Sequence, residues 1–166
     1  MNPTRNSATW ATIVTQLSNA LDGAPPDTLD LVDYFFTSDP PAHRMRVVAH
    51  HFGTGYGALL SRFHRGGLPS PRACLADAML VRAAFLLEDP RLSLSEVARR
   101  LRYSSPQAFH RTLHIQGHPS AQEFRRRYTG AVLLEHYLDR YLHPYRDAWR
   151  STALVGPRLF VTAVAA

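Results

Sequence analysis

Apolar residues recur three and four positions apart along almost the whole chain, the spacing that gathers them on one face of an α-helix. Trp10, Ile13, Val14, Leu17 and Leu21 predict a first helix, stopped by Gly23 and Pro25-Pro26. Asp27 is placed to cap a second helix through Leu29, Val32 and Phe36, which ends before Pro40-Pro41. A short helix over about 43–51 breaks at Gly53-Thr54-Gly55, and another over about 56–65 stops at Gly66-Gly67. A longer helix over about 71–87 has its core stripe at Leu75, Met79, Leu80, Ala83, Ala84 and Leu87. Ser93-Leu94-Ser95-Glu96 and Ser120-Ala121-Gln122-Glu123 have capping-box spacing, and they predict helix starts on either side of a helix over about 105–116. The stripe Leu133, Leu134, Tyr137, Leu138, Tyr141 and Leu142 is a further amphipathic stretch, ended or kinked at Pro144. Only the last dozen residues hint at strand-like alternation. The pattern predicts an all-α fold.

The middle of the chain also repeats itself. At an offset of 49 residues VVAHHFGTGYGALLSRFHR aligns with EVARRLRYSSPQAFHRTLH, so that Ala49 pairs with Ala98 and Phe52 with Leu101. After one added residue in the turn, Leu59 pairs with Phe109 and Phe63 with Leu113. A small alanine lets one short helix cross close to the next, a large apolar residue closes the turn, and two apolar residues four apart seat the second helix. This is the pattern of a helix-turn-helix, present twice and joined by the helix over 71–87.

Composition sharpens the picture. The 166 residues suit one domain of ordinary size or two very small ones, and 45% hydrophobic residues suffice for a core. The single cysteine, Cys74, rules out an internal disulfide, and no cysteine-based zinc spacing exists, which favours a reducing, cytoplasmic setting. The N-terminus lacks a signal pattern, and the apolar tail ALVGPRLFVTAVAA is too short and interrupted to cross a bilayer, so no membrane partner is expected. The net charge of +6 is unevenly spread. Residues 1–43 carry one Arg and five Asp, residues 44–127 carry fourteen Arg against five acids, and residues 128–166 carry four Arg against three. All nineteen basic residues are arginine, which grips phosphate in bidentate fashion and stacks on bases, although a GC-rich genome produces the same bias. A central segment at +9 is the electrostatic footprint of a nucleic-acid binder.

These residues together resemble the DNA-binding domain of the AraC/XylS family of bacterial transcription regulators over about 44–127. The second copy carries most of the likeness: Ser93, Val97-Ala98, Tyr103, Ser104-Ser105, Phe109-His110-Arg111, Leu113 and Phe124-Arg125. The connection Gly67-Leu68-Pro69-Ser70-Pro71 and the run from Met79 to Leu87 are also similar to the family's linker. Arg102 stands where the family usually has Gly, His118 and Ala121 replace a later Gly and Pro, and Gly55, Leu60 and Ser61 depart from the first copy's pattern. The resemblance implies three regions: an acidic helical extension over 1–40, the two-motif DNA-binding domain over 41–127, and a C-terminal helical extension over 128–166. It further implies a transcriptional regulator that binds double-stranded DNA, with RNA polymerase as a second partner and no cofactor. The N- or C-terminal helices offer a seam for a homodimer.

In a helix-turn-helix, the N-terminal half of the second helix meets base edges in the major groove. In the second copy the expected contacts are Ser105, Gln107, His110 and Arg111, with Gln107 suited to adenine and Arg111 to guanine. A salt bridge across the helix pair is the competing use of Arg111. In the first copy Tyr56, Arg62 and Arg65 remain, the two arginines suited to phosphates, and Thr54 and Ser104 add phosphate contacts. His110, His114 and His118 fall at i, i+4 and i+8, yet no Cys or flanking carboxylate completes a metal-ligand set, so a polar face is the favoured reading. No catalytic triad, phosphate loop or carboxylate pair is present, so an enzyme is not expected. The rival reading is a degenerate helix-turn-helix protein that binds another protein through its acidic N-terminal helix or its Leu/Tyr stripe.

Overall fold

Serine hydroxyls begin four of the six helices of the basic segment, and a left-handed residue closes four of the six. The structure, a computed structural model, describes residues 7–118 and 120–156. In chain order the helices are α1 (Ser7–Ala20), α2 (Pro26–Thr37), α3 (Met45–His51), α4 (Tyr56–Arg65), α5 (Pro71–Leu87), α6 (Leu94–Arg100), α7 (Pro106–Ile115), α8 (Ala121–Arg127) and α9 (Gly130–Tyr137). A π-type turn (Leu138–Leu142) and a 3-10 turn (His143–Tyr145) then lead into α10 (Arg146–Ser151). No strand occurs among the described residues, and the fold is all-α. The strand-like alternation read in the last dozen residues lies, from 157 onward, outside the described residues.

The two capping boxes act as serine caps: Ser93 Oγ accepts from the Glu96 amide at 3.1 Å and Ser120 Oγ from the Glu123 amide at 3.0 Å. Asp27 does not cap α2 as expected. Pro25 is the N-cap and Asp27 sits in the first turn, where its carboxylate is turned to the far end of the chain. In α1, Ile13 and Leu17 are buried but Val14 is 42% exposed, because Val14 lies off the stripe that meets α2, and the side chain of Trp10 lies outside the described part.

The core runs along α5, whose Cys74, Leu75, Ala78, Met79, Val81, Ala83 and Ala84 are all buried. The helix is tied to neighbours on both sides. Arg82 donates to the Ser38 carbonyl at 3.1 Å, and burial lowers its pKa to about 10, which leaves it charged at neutral pH. On the other side α9 lies so close that a Cβ on Gly130 would come within 2.2 Å of the Phe85 ring. The Leu/Tyr stripe completes this core: Leu134, Tyr137, Tyr141, Leu142 and Trp149 are buried, with Tyr137 edge-on to Phe36 and Trp149 edge-on to Phe63. The Tyr141 hydroxyl donates to Asp77 at 2.6 Å and the Trp149 indole to the Tyr141 carbonyl at 2.8 Å. These positions are occupied within the chain, so the stripe is not an open seam for a second copy. No helix of the described residues is long and apolar enough to cross a membrane.

Candidate nucleic-acid interface

The repeat in the sequence is a repeat in the backbone. α3 and α6 have seven residues each, and α4 and α7 have ten. α3 ends with the Gly53 amide on the His50 carbonyl at 3.1 Å and the Thr54 amide on the Ala49 carbonyl at 3.0 Å. α6 ends the same way, with Arg102 on Arg99 at 3.0 Å and Tyr103 on Ala98 at 2.9 Å. This paired closure is a Schellman motif, which needs a left-handed residue after the helix. Gly53 supplies it at φ 63°, and Arg102 adopts it at φ 59° despite its side chain. α4 and α7 close through the same motif at Gly67 (φ 65°) and Gly117 (φ 83°). Ala49, Ala98, Phe52, Leu101, Leu59, Phe109, Phe63 and Leu113 are all buried, as the sequence alignment requires of paired core positions.

The second unit presents an open, unneutralised helix face. Gln107, His110, Arg111 and His114 lie at i, i+3, i+4 and i+7 of α7, all exposed. α7 contains no acidic residue, and none of these four side chains has a hydrogen bond or ion pair among the described residues. The salt bridge that competed for Arg111 is therefore not formed there. Ser105 is the N-cap, its hydroxyl accepting from the Ala108 amide at 3.1 Å, so it fixes the start of the helix while Ser104 stands exposed beside it. His118 leaves this face: it follows the Gly117 turn, and its ring packs edge-on against Phe124 and Tyr128, where burial lowers its pKa. The three histidines do not share one helical surface.

The first unit differs. Arg62, expected at a phosphate, donates instead to the carbonyls of Leu154 and Val155 at 2.8 and 2.7 Å, with Thr54 Oγ1 at 3.5 Å. The cause is the segment after α10, which lies across α2 and α4. Thr28 donates to the Thr152 carbonyl at 2.7 Å, and the Val155 and Gly156 amides donate to Asp27 at 2.7 and 3.1 Å. Gly66 makes room for it, since a Cβ there would meet Thr152 Oγ1 at 2.5 Å. Arg65 is exposed and donates to Ser61 Oγ at 2.8 Å, one turn back on its own helix. Tyr56 faces neither Arg62 nor Arg65: Arg46 stacks over its ring at 4.7 Å, and Arg72 donates to its hydroxyl. On α4, Gly57 is exposed while Leu60 and Ser61 are half-buried.

Of the predicted contact residues, Gln107, His110 and Arg111 thus share one surface, with Ser104 and Ser105 at its edge. Arg65 remains open on α4. Arg62, Thr54 and Tyr56 are held in other contacts. Arg44, Arg46 and Arg72, which line one cleft together with Tyr56, were not singled out by the sequence, because Arg72 lies far from the other two along the chain and on another helix. Cys74 is buried, and burial followed by the nearby Asp77 raises its thiol to about 12, the environment of an inert side chain.

No family model, curated protein or solved structure matches the chain.

Proposed function

We propose that the protein is a sequence-reading regulator that binds double-stranded DNA, with α7 as the helix that enters the major groove. The observation that carries this reading is the α7 face: Gln107, His110, Arg111 and His114 in one row, exposed, cationic or polar, and unpartnered among the described residues. A side chain that folding has not engaged is available to base edges, and Arg and Gln are the residue types whose geometry suits guanine and adenine. The charge of the segment over 44–127 supplies long-range attraction to a polyanion. In this reading α4 positions the protein through Arg65, whereas Arg62 holds the C-terminal segment.

The test is duplex binding measured across a salt series, preceded by selection of bound fragments from random duplexes. Wild type is expected to bind selected fragments with a steep negative slope of log affinity against log salt. Arg111→Ala is expected to weaken the selected site by about 1–3 kcal/mol and to relax preference at one base pair. A flat salt response rejects the reading, and an unchanged sequence preference in Arg111→Ala rejects that residue's role. One observation favours a protein-interaction module: Ile115, at the end of α7, is 76% exposed. Retention of DNA binding in Ile115→Ser separates the two.

A further inference from the structure

A cleft of about 380 Å³ opens between the two helix pairs; α7 lends it Thr112 but none of the exposed row. Its rim carries Arg44, Arg46 and Arg72, brought together from the start of α3 and the first turn of α5. None of its lining residues is acidic, and none of these three guanidinium groups meets a carboxylate among the described residues. Tyr56 is fixed between two of them, with Arg46 over its ring and Arg72 on its hydroxyl. On the opposite wall Tyr103 is edge-on to His43 at 4.7 Å, and burial raises its hydroxyl to about 12, so it stays neutral and adds no competing negative charge. Leu75 and Met79 of α5 close the floor.

We infer that this cleft is a binding site for a small organic anion: a carboxylate carried on a compact apolar body. Three cations without a counter-charge repel one another, and an entering carboxylate relieves that repulsion while accepting charge-assisted, bidentate hydrogen bonds. The tyrosine walls and the aliphatic floor suit an apolar body rather than a bare ion, and the volume lies within the range of small-molecule sites. Because Arg46 and Arg72 are already braced on Tyr56, little side-chain ordering remains to be done on binding. The inference stands apart from the reading of DNA by α7, because the residues of the two sites do not overlap.

The experiment uses the full chain without DNA, titrated with benzoate, inorganic phosphate and benzylamine, followed by calorimetry and by amide NMR shifts. Benzoate is expected to saturate with a dissociation constant of about 1 mM or tighter, to shift the amides of Tyr56, Arg72 and Thr112, and to bind at least tenfold more tightly than phosphate. Benzylamine is expected not to bind. Arg44→Gln and Arg72→Gln each weaken benzoate at least tenfold, whereas Arg146→Gln on α10 leaves it unchanged. Ala76→Phe, which fills the cleft and keeps every charge, abolishes binding, and melting curves confirm that each variant is folded. Absence of saturation by benzoate overturns the proposal. So does phosphate binding as tightly as benzoate, which would mark a general anion patch, and so does undiminished binding to folded Ala76→Phe.

Discussion

Arg102 holds a left-handed backbone at φ 59°, the conformation that Gly53 takes at the equivalent turn of the first unit. A side chain with a Cβ is strained there, and the turn persists because the flanking amides of Arg102 and Tyr103 are fixed on α6 and Leu101 is buried beneath them. Arg102→Gly is therefore expected to stabilise the fold by about 0.5–1 kcal/mol, the relief of strain being partly offset by a freer unfolded chain. The midpoint of urea unfolding measures this, and a midpoint equal to or below wild type refutes it. The sequence exposed Arg102 as a departure from the resembling family. It could not show that the backbone keeps the glycine conformation regardless, because the demand comes from helix closure and not from the residue itself. The contacts of Arg62 were hidden for a related reason. Its partners are the carbonyls of Leu154 and Val155, and a backbone carbonyl leaves no mark in a sequence.

Helices whose ends carry their own chemistry were legible: α5 has the bounds that its apolar stripe predicts, and Ser93, Ser105 and Ser120 cap α6, α7 and α8. What the periodicity could not convey is how closely helices approach. α9 begins at Gly130, whose amide donates to Glu88 at 2.7 Å and whose missing side chain admits the Phe85 ring. Gly130 is a poor helix former, and its place in a helix is explained by this contact with α5. Gly130→Ala is expected to lower stability by about 1–3 kcal/mol, since the ring has to move out of its site and the gain in helix propensity is smaller. Thermal unfolding of Gly130→Ala alone and together with Phe85→Ala checks the cause: the double variant should show no additional cost from the alanine at 130. The same α5 surface buries Cys74 and the tyrosines of the C-terminal stripe, a convergence that connects residues far apart in the chain and so has no local signature.

Taken across the chain, the buried hydroxyl and thiol groups govern the alkaline limit of stability. Burial holds the Cys74 thiol at about 12 against an ordinary value of 9.0, and the Tyr137 and Tyr141 hydroxyls are also raised, chiefly by burial. A folded chain that keeps these protons competes with an unfolded chain that releases them, so the contribution of these groups to stability is level well below pH 9 and falls above it. The thiol alone accounts for a loss on the order of 2 kcal/mol by pH 10.5. Urea midpoints recorded from pH 7 to 10.5 should show that decline, and Cys74→Ala should flatten its first part; a level profile would contradict the buried environment. The acidic N-terminal helices and the C-terminal extension, indistinct in the sequence beyond their apolar stripes, prove to be joined through the strap over 152–156. That clasp spans 128 positions between Asp27 and Val155. During synthesis α2 is made long before the strap, so the Asp27 carboxylate gains these two donors, and the buried Thr28 hydroxyl its acceptor, only after residues 152–156 have left the ribosome; until then a stretch of nascent helices has to wait unsewn at this edge.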